Sequence, residues 1–134
     1  MRIPQMEKVI LPKLSYKICG FCYQIHNDLG RFRNEKQYAD AMEQLLKENN
    51  IKYAREEFLS PSFEGEGNRN KPDFTIEDKI IIDFKAKNFI TKDDYFQMKR
   101  YLASKNIKLG LIINFHQKFL APKRVLNSEI NLER

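Results

Sequence analysis

Apolar residues recur at three- and four-residue steps from Leu14 through Ile18, Phe21 and Ile25 to Leu29, the spacing of one helical face, and Gly30 supplies a stop. A second helix is expected after Asn34, whose side chain can cap it, with Gln37 in capping-box position. Tyr38, Met42, Leu45 and Leu46 form its stripe, and Asn49-Asn50 ends it. Glu35 lies on that stripe, three residues before Tyr38 and seven before Met42, so it is expected to point inward. The pattern then changes period. Ile51 to Leu59 reads as a strand running into the polar Ser60–Lys71 loop. Pro72–Ile76 and Ile80–Lys85 alternate apolar and polar residues around Glu77-Asp78-Lys79 and predict a hairpin. Thr91 can cap a helix from Asp93 to about Ser104, with Tyr95, Met98 and Leu102 buried and Gln97 and Tyr101 on an adjacent line. Lys108–Phe115 is nearly all apolar, the mark of an interior strand. Residues 1–13, in which Pro4 and Pro12 bracket MEKVIL, read as an arm or a short edge strand. The tail around Pro122, with Lys118, Lys123 and Arg124, suggests a last edge strand. Helix, helix, three strands, helix, strand describes an α/β sandwich: a mixed central sheet flanked by helices, with a helical crossover leading into Lys108–Phe115.

Hairpin register carries a chemical consequence. With the apolar residues on one face, Ile76 pairs with Ile80, Phe74 with Ile82 and Asp73 with Asp83, and Lys85 falls on the same side as Asp83. Two carboxylates roughly 5 Å apart repel, so a positive charge belongs between them. Hard carboxylate oxygens make a divalent metal the natural occupant. The alternative is a surface hairpin whose exposed face is charged. Glu35 likewise has a plainer role, as a negative charge on the first turn of its helix, where the dipole favours it.

Composition narrows the setting. Among 134 residues, 42% are hydrophobic and 31% charged, enough apolar surface to fold as a single domain, residues 1–134. No apolar run approaches the ~20 residues of a membrane span, and MRIPQMEKVI lacks a secretory core, so a soluble cytoplasmic protein is expected. Twenty-four Lys and Arg against eighteen Asp and Glu leave a net charge of +6, which suits a polyanionic partner. Arg31, Arg33 and Lys36 flank Glu35, and Arg69 and Lys71 lead into Asp73, so phosphate contacts are expected there; a solvated charged loop is the alternative. Cys19 and Cys22 form a CxxC with His26 on the same helical face. No second cysteine pair exists to close a zinc site, and packing roles are expected for all three.

Pro72-Asp73 with Asp83-Phe84-Lys85, Glu35-x-x-Tyr38, Gln97-x-x-x-Tyr101 and LGLIINF, in this order, resemble the PD-(D/E)XK nuclease superfamily and, within it, the GxxExxY family of small proteins. The resemblance runs from Leu14 to about Asn127. Phe32 stands where the family's motif glycine would, and Asp83 replaces the more frequent Glu. The resemblance implies a restriction-endonuclease-like sandwich that hydrolyses phosphodiester bonds, of DNA ahead of RNA. It also implies that Asp73, Asp83 and Glu35, with the Phe84 backbone carbonyl, hold Mg²⁺ or Mn²⁺. Asp73, Asp83 and Lys85 would be catalytic, and Gln97 and Tyr101 would position the nucleic-acid strand. Small nucleases of this fold often act as homodimers. A non-catalytic nucleic-acid-binding module and a regulatory or assembly protein are the alternatives, since fold alone does not choose a function.

Overall fold

The computed structural model describes residues 11–57 and 71–127. Helix α1 spans Pro12–Leu29, α2 spans Glu35–Glu48, strand β1 is Tyr53–Arg55, β2 Phe74–Ile76 and β3 Ile80–Lys85. Helix α3 is Lys92–Lys105, β4 Leu109–Asn114 and β5 Lys123–Leu126. α1 starts two residues earlier than the apolar spacing predicts. Pro12 occupies its first turn, where a missing N–H costs nothing. Gly30 ends it at φ 77°, a conformation glycine adopts without a side-chain penalty. α2 begins with the expected capping box of Asn34 with Gln37, and α3 with the expected Thr91 cap, which Asp94 at N3 completes as a second box. The expected strand at 51–59 forms over Tyr53–Arg55; its end and most of the polar loop lie outside the described residues, as do residues 1–10.

The five strands form one sheet in the order β1-β2-β3-β4-β5. β3 and β4 are parallel, joined through α3, and the other pairs are antiparallel. The β2–β3 register is the expected one, Phe74 opposite Ile82 and Ile76 opposite Ile80. Between them Glu77 and Asp78 turn at φ 55° and 54°, and the Lys79 N–H donates to the Ile76 carbonyl at 2.9 Å. Left-handed turn residues match the twist of the flanking strands, which is why so short a loop closes this hairpin.

Alternation along the strands divides the core in two. Phe74, Ile76, Ile80, Ile82, Phe84, Leu109, Leu111 and Ile113 pack beneath α1 and α2, against Ile18, Ile25, Tyr38, Met42 and Leu46. Ile81, Ile112 and Val125 face α3 and meet Met98, Tyr101 and Leu102. Helix α3 is rotated from the expected orientation. Asp94, Met98, Tyr101 and Leu102 are buried, whereas Tyr95 is 36% exposed. The buried arc is centred on Asp94 and Met98, so Tyr95 falls at one edge and Gln97 at the other, and Tyr101 lies within it. Gly110 on β4 explains how close the helix comes, since a side chain there would run into Met98.

Cys22 is buried and Cys19 half-buried in α1, and burial pushes both thiols up. The His26 ring nitrogen Nε2 lies 2.8 Å from the Gln117 carbonyl. All three therefore pack α1 onto its neighbours, as expected. No helix among the described residues is long and apolar enough to cross a membrane.

Candidate active site

On the α3 face of β3, Ile81 is followed by Asp83 and then Lys85, and the site begins with that change. Asp83 is only 7% exposed. Asp73 stands one residue before β2, and its Oδ2 accepts the Phe84 N–H at 2.6 Å. Continuing the register of Phe74 with Ile82 by one residue puts Asp73 opposite Asp83, the cross-strand juxtaposition that the hairpin predicts. Burial first, then the Asp83 charge, pushes the Asp73 carboxyl up to about 8.

Lys85 Nζ lies 2.8 Å from Asp83 Oδ2 and 3.7 Å from Asp94 Oδ1, and donates to Gln97 Oε1 at 3.2 Å. Burial alone would lower the Lys85 pKa, but the facing charges of Asp83, Asp94 and Glu35 more than offset it and hold the ammonium above its ordinary value. Lys85 is therefore a fixed positive charge beside the carboxylate pair, suited to neutralising an anion rather than to accepting a proton.

Asp94 is a site residue that the sequence reading did not single out. Its Oδ2 accepts from the Thr91 N–H at 2.8 Å and pairs with Lys87 at 2.6 Å, while Oδ1 faces Lys85. Nearby cations and the Thr91 N–H outweigh burial and hold the Asp94 carboxyl below its ordinary value. A capping residue whose other oxygen reaches a strand lysine ties the α3 N-terminus to the site. A further acid nine residues beyond the D-x-K lysine, at N3 of a capped helix, was the available signal.

Glu35 does not point into the core. It lies on the same helical arc as Tyr38, Ala39, Met42 and Leu46, as the spacing predicts, but it is the first residue of α2 and is exposed there, at the end of the helix. It lines a cleft of about 380 Å³ together with Asp73, Arg55 and Glu56, and its charge acts on both Asp73 and Lys85. Tyr38 sets its approach. The Tyr38 ring stacks on Phe115 at 4.1 Å, its hydroxyl donates to the Gly30 carbonyl at 2.6 Å and accepts the Arg33 N–H at 3.1 Å. The Glu-x-x-Tyr spacing thus has a local reason, since a buried tyrosine at the next turn clamps the loop that delivers Glu35.

The other expected residues are distributed unevenly. Gln97 reaches Lys85, whereas Tyr101 is 3% exposed within the smaller core cluster. Arg31 and Arg33 lie in the loop before Glu35, with the Arg31 guanidinium 5.0 Å above Phe32 and Arg33 Nε donating to the Leu29 carbonyl at 3.3 Å. Lys71 Nζ is 3.7 Å from Glu56, and Arg69 lies outside the described residues.

The donor set suits a hard divalent cation. A cation would relieve the carboxyl of Asp73, which burial and the Asp83 charge push up, and an N–H and C=O of one strand residue point to the same side, so the Phe84 carbonyl faces the edge where its N–H meets Asp73. No three His, Cys, Asp or Glu residues cluster among those described.

A family model described as the PD-(D/E)XK nuclease superfamily matches residues 12–125. Comparison with curated proteins and with solved structures gave no match.

Proposed function

The chain belongs to the PD-(D/E)XK nuclease superfamily, and on that premise we propose that it is an active, divalent-metal-dependent nuclease, cutting DNA in preference to RNA. The observation that carries this reading is the contact of Asp73 with Asp83 beside the Lys85 ammonium, 2.8 Å from Asp83. A fold kept only for binding has no use for a buried, repelling carboxylate pair, which costs stability in place of apolar packing. Glu35-x-x-Tyr38 and the clamp it makes support the GxxExxY branch.

Asp73, Asp83 and the Phe84 carbonyl would hold Mg²⁺ or Mn²⁺, with Glu35 on the wall of the same cleft. The ion would supply Lewis-acid polarisation of the phosphoryl oxygen and a more acidic bound water. Lys85 neutralises the charge that grows on the phosphoryl oxygens, and Asp83, Asp94 and Gln97 hold its ammonium in place. Arg31 and Arg33 offer phosphate contacts that fix the strand without reading its sequence.

The test is cleavage of end-labelled DNA and RNA, single-stranded and duplex, with Mg²⁺ or Mn²⁺ and with chelator. Metal-dependent cutting by the native chain, abolished in Asp83→Asn, is the expected result. A native chain that cuts none of these substrates with either metal would overturn the reading in favour of a non-catalytic binding module.

A further inference from the structure

Three phenylalanines project into solvent where apolar rings are costly to leave: Phe32 is 78% exposed, Phe89 77% and Phe119 78%. They sit in three different connections, entering α2, following β3 and following β4. Those connections meet at the end of the sheet that carries Lys85. Asn114 accepts the Lys87 N–H at 3.3 Å, donates to the Lys87 carbonyl at 2.8 Å and accepts the His116 N–H at 3.2 Å, joining the segments after β3 and β4. The Phe32 ring meets His116 edge-on at 5.6 Å, which adds the segment leading to Glu35. Two of the rings carry a cation. The Arg31 guanidinium lies 5.0 Å from the Phe32 ring centre and Lys118 Nζ 5.5 Å from that of Phe119.

Exposed apolar rings, two of the three partnered by a positive charge, suit a ligand that is both flat and anionic. We propose that these rings form a stacking rim that takes unpaired nucleobases, so that the substrate class of the site is single-stranded nucleic acid or the frayed end of a duplex. Bases within a duplex hide their faces in the stack, and a rim of rings has nothing to hold there. An unpaired strand offers base faces to Phe32, Phe89 and Phe119 and phosphates to Arg31 and Lys118 at the same time. Phosphate attraction alone gives the opposite preference, because a duplex has the greater charge density. The proposal rests on the nuclease reading for the fate of the strand, but not for its recognition.

Binding in chelator, read by fluorescence anisotropy, separates the two. The probes are single-stranded DNA, single-stranded RNA, blunt duplex and an abasic strand with the same phosphates, all of equal length. The natural single strands should bind more tightly than the duplex and the abasic strand. Phe32→Ala, Phe89→Ala and Phe119→Ala should each weaken that binding by about fivefold to a hundredfold, leave the abasic strand unaffected, and be rescued by Trp. The DNA and RNA arms identify which sugar is preferred. An abasic strand bound as tightly as the natural one, or alanine variants without effect, would overturn the proposal. Cutting of blunt duplex without ring dependence would overturn it and leave the nuclease reading intact. Ring-dependent binding by a chain that cuts nothing with Mg²⁺ or Mn²⁺ would do the reverse.

Discussion

Strand β3 has two faces built from alternate residues of the same six, and they have opposite chemistry. Ile80, Ile82 and Phe84 are fully buried beneath α1 and α2, in a layer without a charge. On the α3 side Ile81 is followed by Asp83 and Lys85, whose nearest neighbours are Asp73, Asp94 and Gln97. Both faces are equally close to the sheet centre, so position does not explain the difference. One face stabilises the fold, and the other sacrifices packing at one end to hold a charge array. Removing partners from such an array is expensive, whereas an apolar layer of the same size would have been stable without it.

Adjacent substitutions on opposite faces give the largest contrast. Phe84→Ala should cost about 3–5 kcal/mol of stability, measured by denaturant unfolding, because the α1–α2 face has no means to collapse around the lost ring. Asp83→Asn, one residue away, should leave the chain folded and reduce metal-dependent cleavage on the order of a thousandfold. A Phe84→Ala chain as stable as the native one would break the assignment of stability to that face.

Lys85→Met comes next. It leaves Asp83 without the cation at 2.8 Å and should destabilise by about 1–3 kcal/mol, with cleavage lost as well. Adding Asp83→Asn should restore stability but not cleavage, since the stranded charge is gone. A double variant no more stable than Lys85→Met would show that the pair is not energetically coupled.

The acidic pair also predicts a pH slope. The Asp73 carboxyl, at 3.8 by itself, is pushed up to about 8 in the fold, so between these values the native chain holds a proton that the unfolded chain has released. Stability of the metal-free protein should therefore fall as pH rises through that window and level off above it, opposite to the usual carboxylate. Asp73→Asn should lack the slope and melt higher at pH 8.5, by on the order of 5 °C. Thermal melts across pH in chelator check this; an equal slope in both chains would sink it.

Smallest is Thr91→Ala. Loss of the cap should cost about 1 kcal/mol, and freeing Asp94 from the Thr91 hydroxyl at 3.1 Å should lower cleavage several-fold while leaving Lys85 in place. A thermal melt and a cleavage rate on the same preparation report both effects. Unchanged cleavage would confine Asp94 to capping.

Much of this is legible in the sequence. Asp73 opposite Asp83 follows from hairpin register, because slipping one residue would bury the charges and expose Phe74, Ile80 and Ile82. The caps at Asn34 and Thr91 are contacts within four residues, so short sequence windows contain them whole. The face of α3 was less legible. Tyr95, Met98 and Leu102 fit a stripe as well as Asp94, Met98, Tyr101 and Leu102 do, and spacing does not distinguish them.

Local order, strand register and the cross-strand carboxylate pair were determined by the sequence itself, since each depends on neighbours a few residues away and on the period of apolar positions. Only the tertiary structure decided that Asp94 turns inward to Lys85, that Tyr101 is buried, that Glu35 lines a cleft rather than the core, and that Phe32 meets His116. The rotation of a helix is set by the sheet it packs on, here by the space Gly110 leaves for Met98, and the meeting of distant loops by bonds such as those of Asn114. Neither has a period along the chain from which it could be read.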